Sequence, residues 1–212
     1  MAETVNKYYG EAVNVSWLYA AEVTGDENGA YKAGTPFMLA PMSTIAKETA
    51  NATKTRYYSG VPLYVDTSEG ETKVTLVVPG LTVKTRAELL GKTFNAEKGL
   101  LYDAGKPGEK YYALGYMIEH AGGVNEYIWL LKGKFSIPKE EGETKTENTN
   151  EKALTLEFTA ITTNTLYQLT DNIKSGTKSV SGDMSDAAFK AAYANDEAWF
   201  KAVVTPPAVA AA

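Results

Sequence analysis

Residues 110–137 read KYYALGYMIEHAGGVNEYIWLLKGKFSI, and their apolar positions alternate. Tyr112, Leu114, Tyr116 and Ile118 interleave with Tyr111, Ala113, Gly115 and Met117. After Ala121-Gly122-Gly123, one face takes Tyr127, Trp129, Leu131, Phe135 and Ile137, and the other takes Ile128, Leu130, Lys132 and Lys134. A period of two with aromatic and branched side chains marks half-buried strands. The Gly-Gly pair supplies the positive φ angles that a tight turn requires. The stretch therefore predicts a long β-hairpin, and the rest of the chain is organised around it.

The same pattern predicts a first strand in which Val13, Val15, Trp17, Tyr19, Ala21 and Val23 share a face, closed by a turn with Asn28-Gly29 as its strongest pair. A shorter strand follows over 31–42, confined to an edge or interrupted by Pro36 and Pro41. Residues 43–60 are polar and weakly patterned, and read as an exposed loop or irregular strand. Two more strands are expected over 61–66 and 72–78, joined through Thr67-Ser68-Glu69-Gly70. Thr85-Arg86-Ala87-Glu88 matches a capping box opening a short helix over 86–90, and Gly91 is placed to close it. A small hairpin or bulge is expected over 94–102, around Glu97-Lys98-Gly99. Residues 153–161 form a strand with Leu154, Leu156, Phe158 and Ala160 inward. Residues 171–182 read as a polar turn region. Helices then follow, with Ser185 or Asp183 capping the first and Asn195 capping a second over 196–203 that carries Trp199 and Phe200. Residues 205–212 are a proline-broken tail. The fold class is mainly β, an antiparallel sandwich or barrel with a short flanking helix. It divides into a β domain over 1–170 and a helical extension over 171–212 packed on it.

Composition narrows the function. Hydrophobic residues at 44% with 14 tyrosines and 3 tryptophans suit a globular, β-rich chain of 212 residues. A formal charge of −5 argues against a basic grip on nucleic acid. The absence of cysteine removes disulfides and thiolate metal sites, and one histidine is too few for a histidine-built zinc site. The opening MAETVNKYYGEAVNV has no basic segment followed by an apolar run, so no secretory signal is expected, and no apolar stretch approaches membrane-spanning length.

Candidate chemistry is sparse. His120 stands beside the Gly-Gly turn with no nucleophile motif or acidic partner at recognisable spacing, and reads as an exposed turn residue. The run KEEGETKTENTNE over 139–151 carries Glu140, Glu141, Glu143 and Glu147 interleaved with Lys139 and Lys145. It lacks the spacing of a calcium loop and reads as a long charged connection between two strands. Asn14-Val15-Ser16 and Asn51-Ala52-Thr53 match the glycosylation triplet by chance. No phosphate-cradling glycine motif is present. The expectation is no catalytic residues, no cofactor and no metal.

Several blocks occur in a fixed order: Arg86-Ala87-Glu88-Leu89-Leu90-Gly91, Tyr112-Ala113-Leu114-Gly115-Tyr116, the run 127–135, Pro138-Lys139-Glu140-Glu141, Thr144-Lys145 and the strand over 154–161. In order and spacing, over residues 80–165, the chain resembles the major tail proteins of long-tailed phages of the phi-thirteen type. The resemblance implies a non-enzymatic subunit that closes into hexameric rings. The rings stack into a hollow tail tube conducting DNA from capsid to host. The implied partners are copies of itself, the tail tip or initiator complex, the tape measure and the tail terminator, with DNA passing unbound and no membrane. The implied location is the virion tail, assembled in the host bacterial cytoplasm. On this reading Tyr112, Tyr116, Tyr127, Trp129, Leu131 and Phe135 are the core or inter-subunit hairpin residues. Lys139, Glu140, Glu141, Glu143, Lys145 and Glu147 form a self-assembly loop that orders on meeting the next subunit. The alternative is a β-sandwich carbohydrate- or peptide-binding module, adhesin-like, that uses exposed Tyr and Trp.

Overall fold

The computed structural model describes residues 10–27, 30–103, 105, 108–136 and 152–209. In chain order it contains β1 (Ala12–Glu27), β2 (Ala30–Ala33), β3 (Phe37–Ala40), β4 (Thr44–Tyr58), β5 (Val61–Val78), α1 (Val83–Leu90), β6 (Thr93–Asn95), β7 (Leu100–Tyr102), β8 (Tyr111–His120) and β9 (Val124–Phe135). Then follow β10 (Leu154–Ala160), β11 (Tyr167–Thr170), β12 (Ile173–Ser175), β13 (Ser179–Asp183), α2 (Ala187–Ala192) and α3 (Asp196–Phe200). The chain is mainly β, its strands pair antiparallel, and its helices are short.

The main sheet runs β2-β1-β8-β9-β10-β5-β4, with β3 added to β1 and β13 added to β9. The free edge of β9 is thus shared. Its first half pairs with β13, from Leu130 with Ser179 to Glu126 with Asp183. Its end pairs with β10, from Gly133 with Ala160 to Phe135 with Phe158. Each face of the β1-β8-β9 layer is covered. On one face Leu18, Tyr112, Leu114, Tyr116, Ile128 and Leu130 pack with Val74, Leu76, Leu156 and Phe158 of β5 and β10, in a sandwich-like core that Leu89 of α1 closes. On the other face Ala21, Ala113, Met117, Tyr127, Trp129 and Leu131 pack with Tyr167 and with Trp199 and Phe200 of α3. Trp129 lies over Gly115, where a Cβ would come within 2.7 Å of its ring, so that glycine is a steric requirement of the second core.

The predicted central hairpin is present, with Gly122 and Gly123 at φ 95° and 77° in its turn. Three residues change face: Lys132, Lys134 and Phe135. The register shifts between Tyr112/Gly133 and Leu114/Leu130, so a bulge breaks the strict alternation of β9. Phe135 therefore joins Ile128 and Leu130 in the first core instead of sharing the face of Tyr127, Trp129 and Leu131. Lys132, within the bulge, and Lys134, past it, leave the expected face of Ile128 and Leu130 and lie over the Tyr111 ring, at 5.0 and 4.5 Å from its centroid. Ile137 lies outside the described residues.

Other expectations need correction. Of the two readings of residues 43–60 the strand holds and the loop does not: β4 spans most of them, is largely exposed and pairs along its length with β5 with two register shifts. The strands expected over 61–66 and 72–78 are one continuous strand of 18 residues. Helix α1 begins three residues earlier than predicted because Thr82, not Thr85, caps it. The Thr82 hydroxyl oxygen accepts from Thr85 N–H at 3.1 Å, and the two hydroxyls bond each other at 2.8 Å. Gly91 closes the helix at φ 61° as expected. The polar turn region over 171–182 contains β12 and most of β13, so the C-terminal extension is strand and helix together, and β11 pairs with β12 across the expected boundary at 170. Asp186 caps α2 in place of Asp183 or Ser185, and α3, capped by Asn195 as predicted, ends at Phe200. The tail lies along β11, with Gln168 N–H donating to Pro207 O and Val209 N–H to Leu166 O.

Candidate assembly surface

The six side chains singled out on the central hairpin are buried by the chain's own residues. Tyr112, Tyr116 and Phe135 lie in the first core, and Tyr127, Trp129 and Leu131 in the second. Burial pushes the Tyr112 phenol up to about 12, and burial together with the acceptor Asp196 does the same for Tyr127. Both therefore stay neutral across physiological pH. Tyr112 donates to Glu88 O at 2.6 Å and fastens α1 to the sheet, while the Tyr127 hydroxyl donates to Asp196 at the start of α3. The charged run with Lys139, Glu140, Glu141, Glu143, Lys145 and Glu147 lies outside the described residues.

His120 is half-buried rather than exposed. Its Nδ1 is 3.1 Å from Gly10 O and its Nε2 3.1 Å from Glu126, so the hairpin supplies an acidic partner that linear spacing hid. A buried ion pair also escaped the sequence. The Asp26 carboxylate accepts from Lys132 Nζ at 2.6 Å and from the backbone N–H groups of Asn164 and Thr165 at 2.8 and 2.9 Å. Burial alone would raise its pKa, but these donors together hold it below the usual aspartate value. The pair ties β1 and β9 to the segment before β11. No cluster of three or more acidic or histidine side chains fit for a metal occurs among the described residues.

The unpartnered surface is elsewhere. The ladder between β10 and β5 ends at the pair Ala160/Thr72. Beyond it, among the described residues, β5 pairs only with β4, through the eleven residues 61–71 to a two-residue turn at Ser59-Gly60. Both turn residues have positive φ, 51° and 80°, as the tight turns that match strand twist demand. Residues 61–71 of β5 are all exposed, as are most of those facing them on β4, so this hairpin is an arm with solvent on both faces. Its outer half is apolar. Tyr57, Tyr58, Val61, Leu63, Tyr64 and Val65 are each more than half exposed. Tyr58 and Tyr64 meet edge-on at 6.1 Å, and Arg56 bridges to Asp66 at 2.6 Å. Such an exposed ion pair contributes under about 1 kcal/mol.

Two physical facts set this arm apart. A two-stranded ribbon with no third layer is marginal in water by itself. The outer edge of β4, 15 residues without proline, has no strand paired to it among the described residues. The opposite edge of the sheet is built of two four-residue strands, β2 and β3, with Pro36 and Pro41 beside them. That end is blunted and the arm end is open.

Among the described residues no helix is long and apolar enough to cross a membrane. No protein-family model matches the chain, and no curated protein matches it.

Proposed function

We propose that the chain is a structural subunit that assembles with copies of itself into stacked hexameric rings, forming a phage tail tube through which DNA passes without specific binding. The observation that carries this reading is the arm. Covering about 400 Å² of the apolar tip would contribute on the order of 10 kcal/mol, comparable with the cost of association. A second copy of the chain is present wherever the arm is made, and head-to-tail contacts between different surfaces of identical subunits close into rings or propagate as filaments. The ordered blocks over residues 80–165 that resemble phage major tail proteins give the assembly its identity. With each subunit at −5, the rings carry excess negative charge and offer DNA no concentrated phosphate grip. The subunit acts without catalysis, in the virion tail. Its further partners are the tip initiator, the tape measure and the terminator.

The exposed tyrosines of the arm favour one other reading, a carbohydrate- or peptide-binding module. Rings that grip a sugar line a hollow, whereas these stand on a projecting ribbon. One open cavity, of about 280 Å³ beside Tyr31, Pro36 and Val203, offers a single aromatic ring.

Negative-stain electron microscopy of the purified chain at rising concentration, with sedimentation alongside, separates the two. Rings or hollow tubes of uniform width are expected. A chain that stays monomeric throughout and binds oligosaccharide or peptide would favour the binding module.

A further inference from the structure

The joint between arm and body has features that neither the arm nor the body shares. Between the pairs Thr49/Thr72 and Asn51/Glu69, β4 has one residue, Ala50, and β5 has two, Gly70 and Glu71. This is a β-bulge, which bends a ribbon and re-aims whatever lies beyond it. It falls at the point where β10 stops supporting β5, one pair past Ala160/Thr72. Two of the three residues at the bend, Ala50 and Gly70, have minimal side chains, and the third, Glu71, reaches along its own strand to Lys73 at 3.5 Å. A Cβ at Gly70 would be 3.4 Å from the Ala50 methyl, so between these two residues the joint holds nothing larger than that methyl. On the body side, the Thr49 and Thr72 hydroxyls bond each other at 2.9 Å and fasten the last supported pair.

One side chain from the body crosses this joint. Lys178 Nζ donates to Gly70 O at 2.9 Å and lies 3.3 Å from Glu69. Its side chain is 18% exposed, so the ammonium has given up much of its water for these acceptors. Its own backbone is fixed to the central hairpin, where Leu131 N–H donates to Lys178 O at 2.9 Å. A charge held at both ends between β9 and the bulge acts as a strut.

We propose that residues 69–71 with Ala50 form a hinge and that Lys178 is the positioning residue that fixes the direction of the arm. This rests on the arm's being the self-association element, and it adds what aims it. A ribbon of two strands joined through a bulge without side-chain packing has little of its own to resist bending. The hydrogen bond to Gly70 O and the ion pair to Glu69 supply that resistance, and they hold the tip in the one orientation a neighbouring subunit meets. Losing the strut leaves the fold intact and spreads the arm over many directions. Each association event must then select one of them, and apparent affinity falls in proportion to the fraction correctly aimed.

The chain has no cysteine, so two can be introduced for spin labels, at Thr67 on the arm and Thr155 on β10, on the order of 35 Å apart by strand rise. Pulsed dipolar spectroscopy on the dilute, unassembled protein should give one narrow distance distribution. In Lys178→Ala the distribution should widen about twofold or more at unchanged melting temperature, with Lys178→Arg restoring it. Glu69→Gln, at an exposed position that leaves folding untouched, should widen it by less because the bond to Gly70 O survives. An unchanged distribution in Lys178→Ala, or a wild-type distribution already as wide, overturns the strut. A widened distribution with undiminished self-association upholds the strut and overturns the arm's role in assembly.

Discussion

Strands β8 and β9 and strands β4 and β5 each form a long antiparallel hairpin, and their surroundings are opposite. The β8–β9 hairpin has a core on each face. Nearly every side chain from Tyr112 to Met117 and from Tyr127 to Gly133 is buried, and pairing with β1, β10 and β13 extends the sheet on both sides. Among the described residues the β4–β5 hairpin has support only near its base, where β5 meets β10, and its outer two-thirds has neither a core face nor a third strand. Pairing in sequence is therefore not what stabilises a hairpin here. Side-chain burial makes the first rigid, and the second keeps apolar groups and an open backbone edge in water until something covers them.

The largest effect that sharpens this contrast is expected at Trp129. Its ring lies over Gly115 and against Phe200 at 5.7 Å, and Trp129→Ala should lower unfolding free energy by about 3–5 kcal/mol in a urea titration. Asp26→Asn should come next, at about 3 kcal/mol, because it leaves the Lys132 ammonium buried without its counter-charge. The pH dependence has a definite sign. A carboxyl whose pKa is lowered on folding contributes stability that is present above its unfolded value and lost as pH falls through the folded one. The native chain should thus lose stability progressively below the ordinary aspartate range, and Asp26→Asn should flatten that part of the profile. On the arm the same kind of substitution should hardly register. The double variant Tyr58→Ser with Tyr64→Ser should change the urea midpoint by no more than about 0.5 kcal/mol equivalent while abolishing self-association in sedimentation. A comparable loss of stability there would erase the distinction between the two hairpins. The smallest effect is expected at the arm's turn. Ser59→Gly relieves a positive φ at a residue with a side chain, and should slow arm amide exchange by a few-fold at most.

The same contrast explains which elements the sequence made legible. The alternation of Tyr112, Leu114 and Tyr116, and of Leu154, Leu156 and Phe158, reflects burial of one face against a core, and those strands were readable. The helix stop at Gly91, the Gly122-Gly123 turn and the Asn195 cap were readable because each conformation favours particular residue types. The arm lacks that signal. Both its faces meet water, so Thr, Lys and Ala over 44–55 show no period, and its apolar cluster at the tip looked like part of a separate short strand. β13 is short and polar because one core-facing residue, Val180, suffices to seat it on β9. The displacement of Phe135 came from a bulge, which shifts parity without altering composition. Of the proposed assembly surface, only the exposure of 43–60, with a strand as one of its two readings, was legible. Its pairing, its apolar tip and the Lys178 strut depend on contacts between residues far apart in the chain.

Hydrogen exchange along β4 and β5, measured in dilute and in concentrated solution, tests most directly whether the arm is the element by which copies associate. Residues 51–69 should exchange quickly when dilute while β8 and β9 stay protected, and should become slow as association proceeds. An arm that still exchanges quickly in the associated material, or is already as protected as β8 and β9 when dilute, would contradict the account.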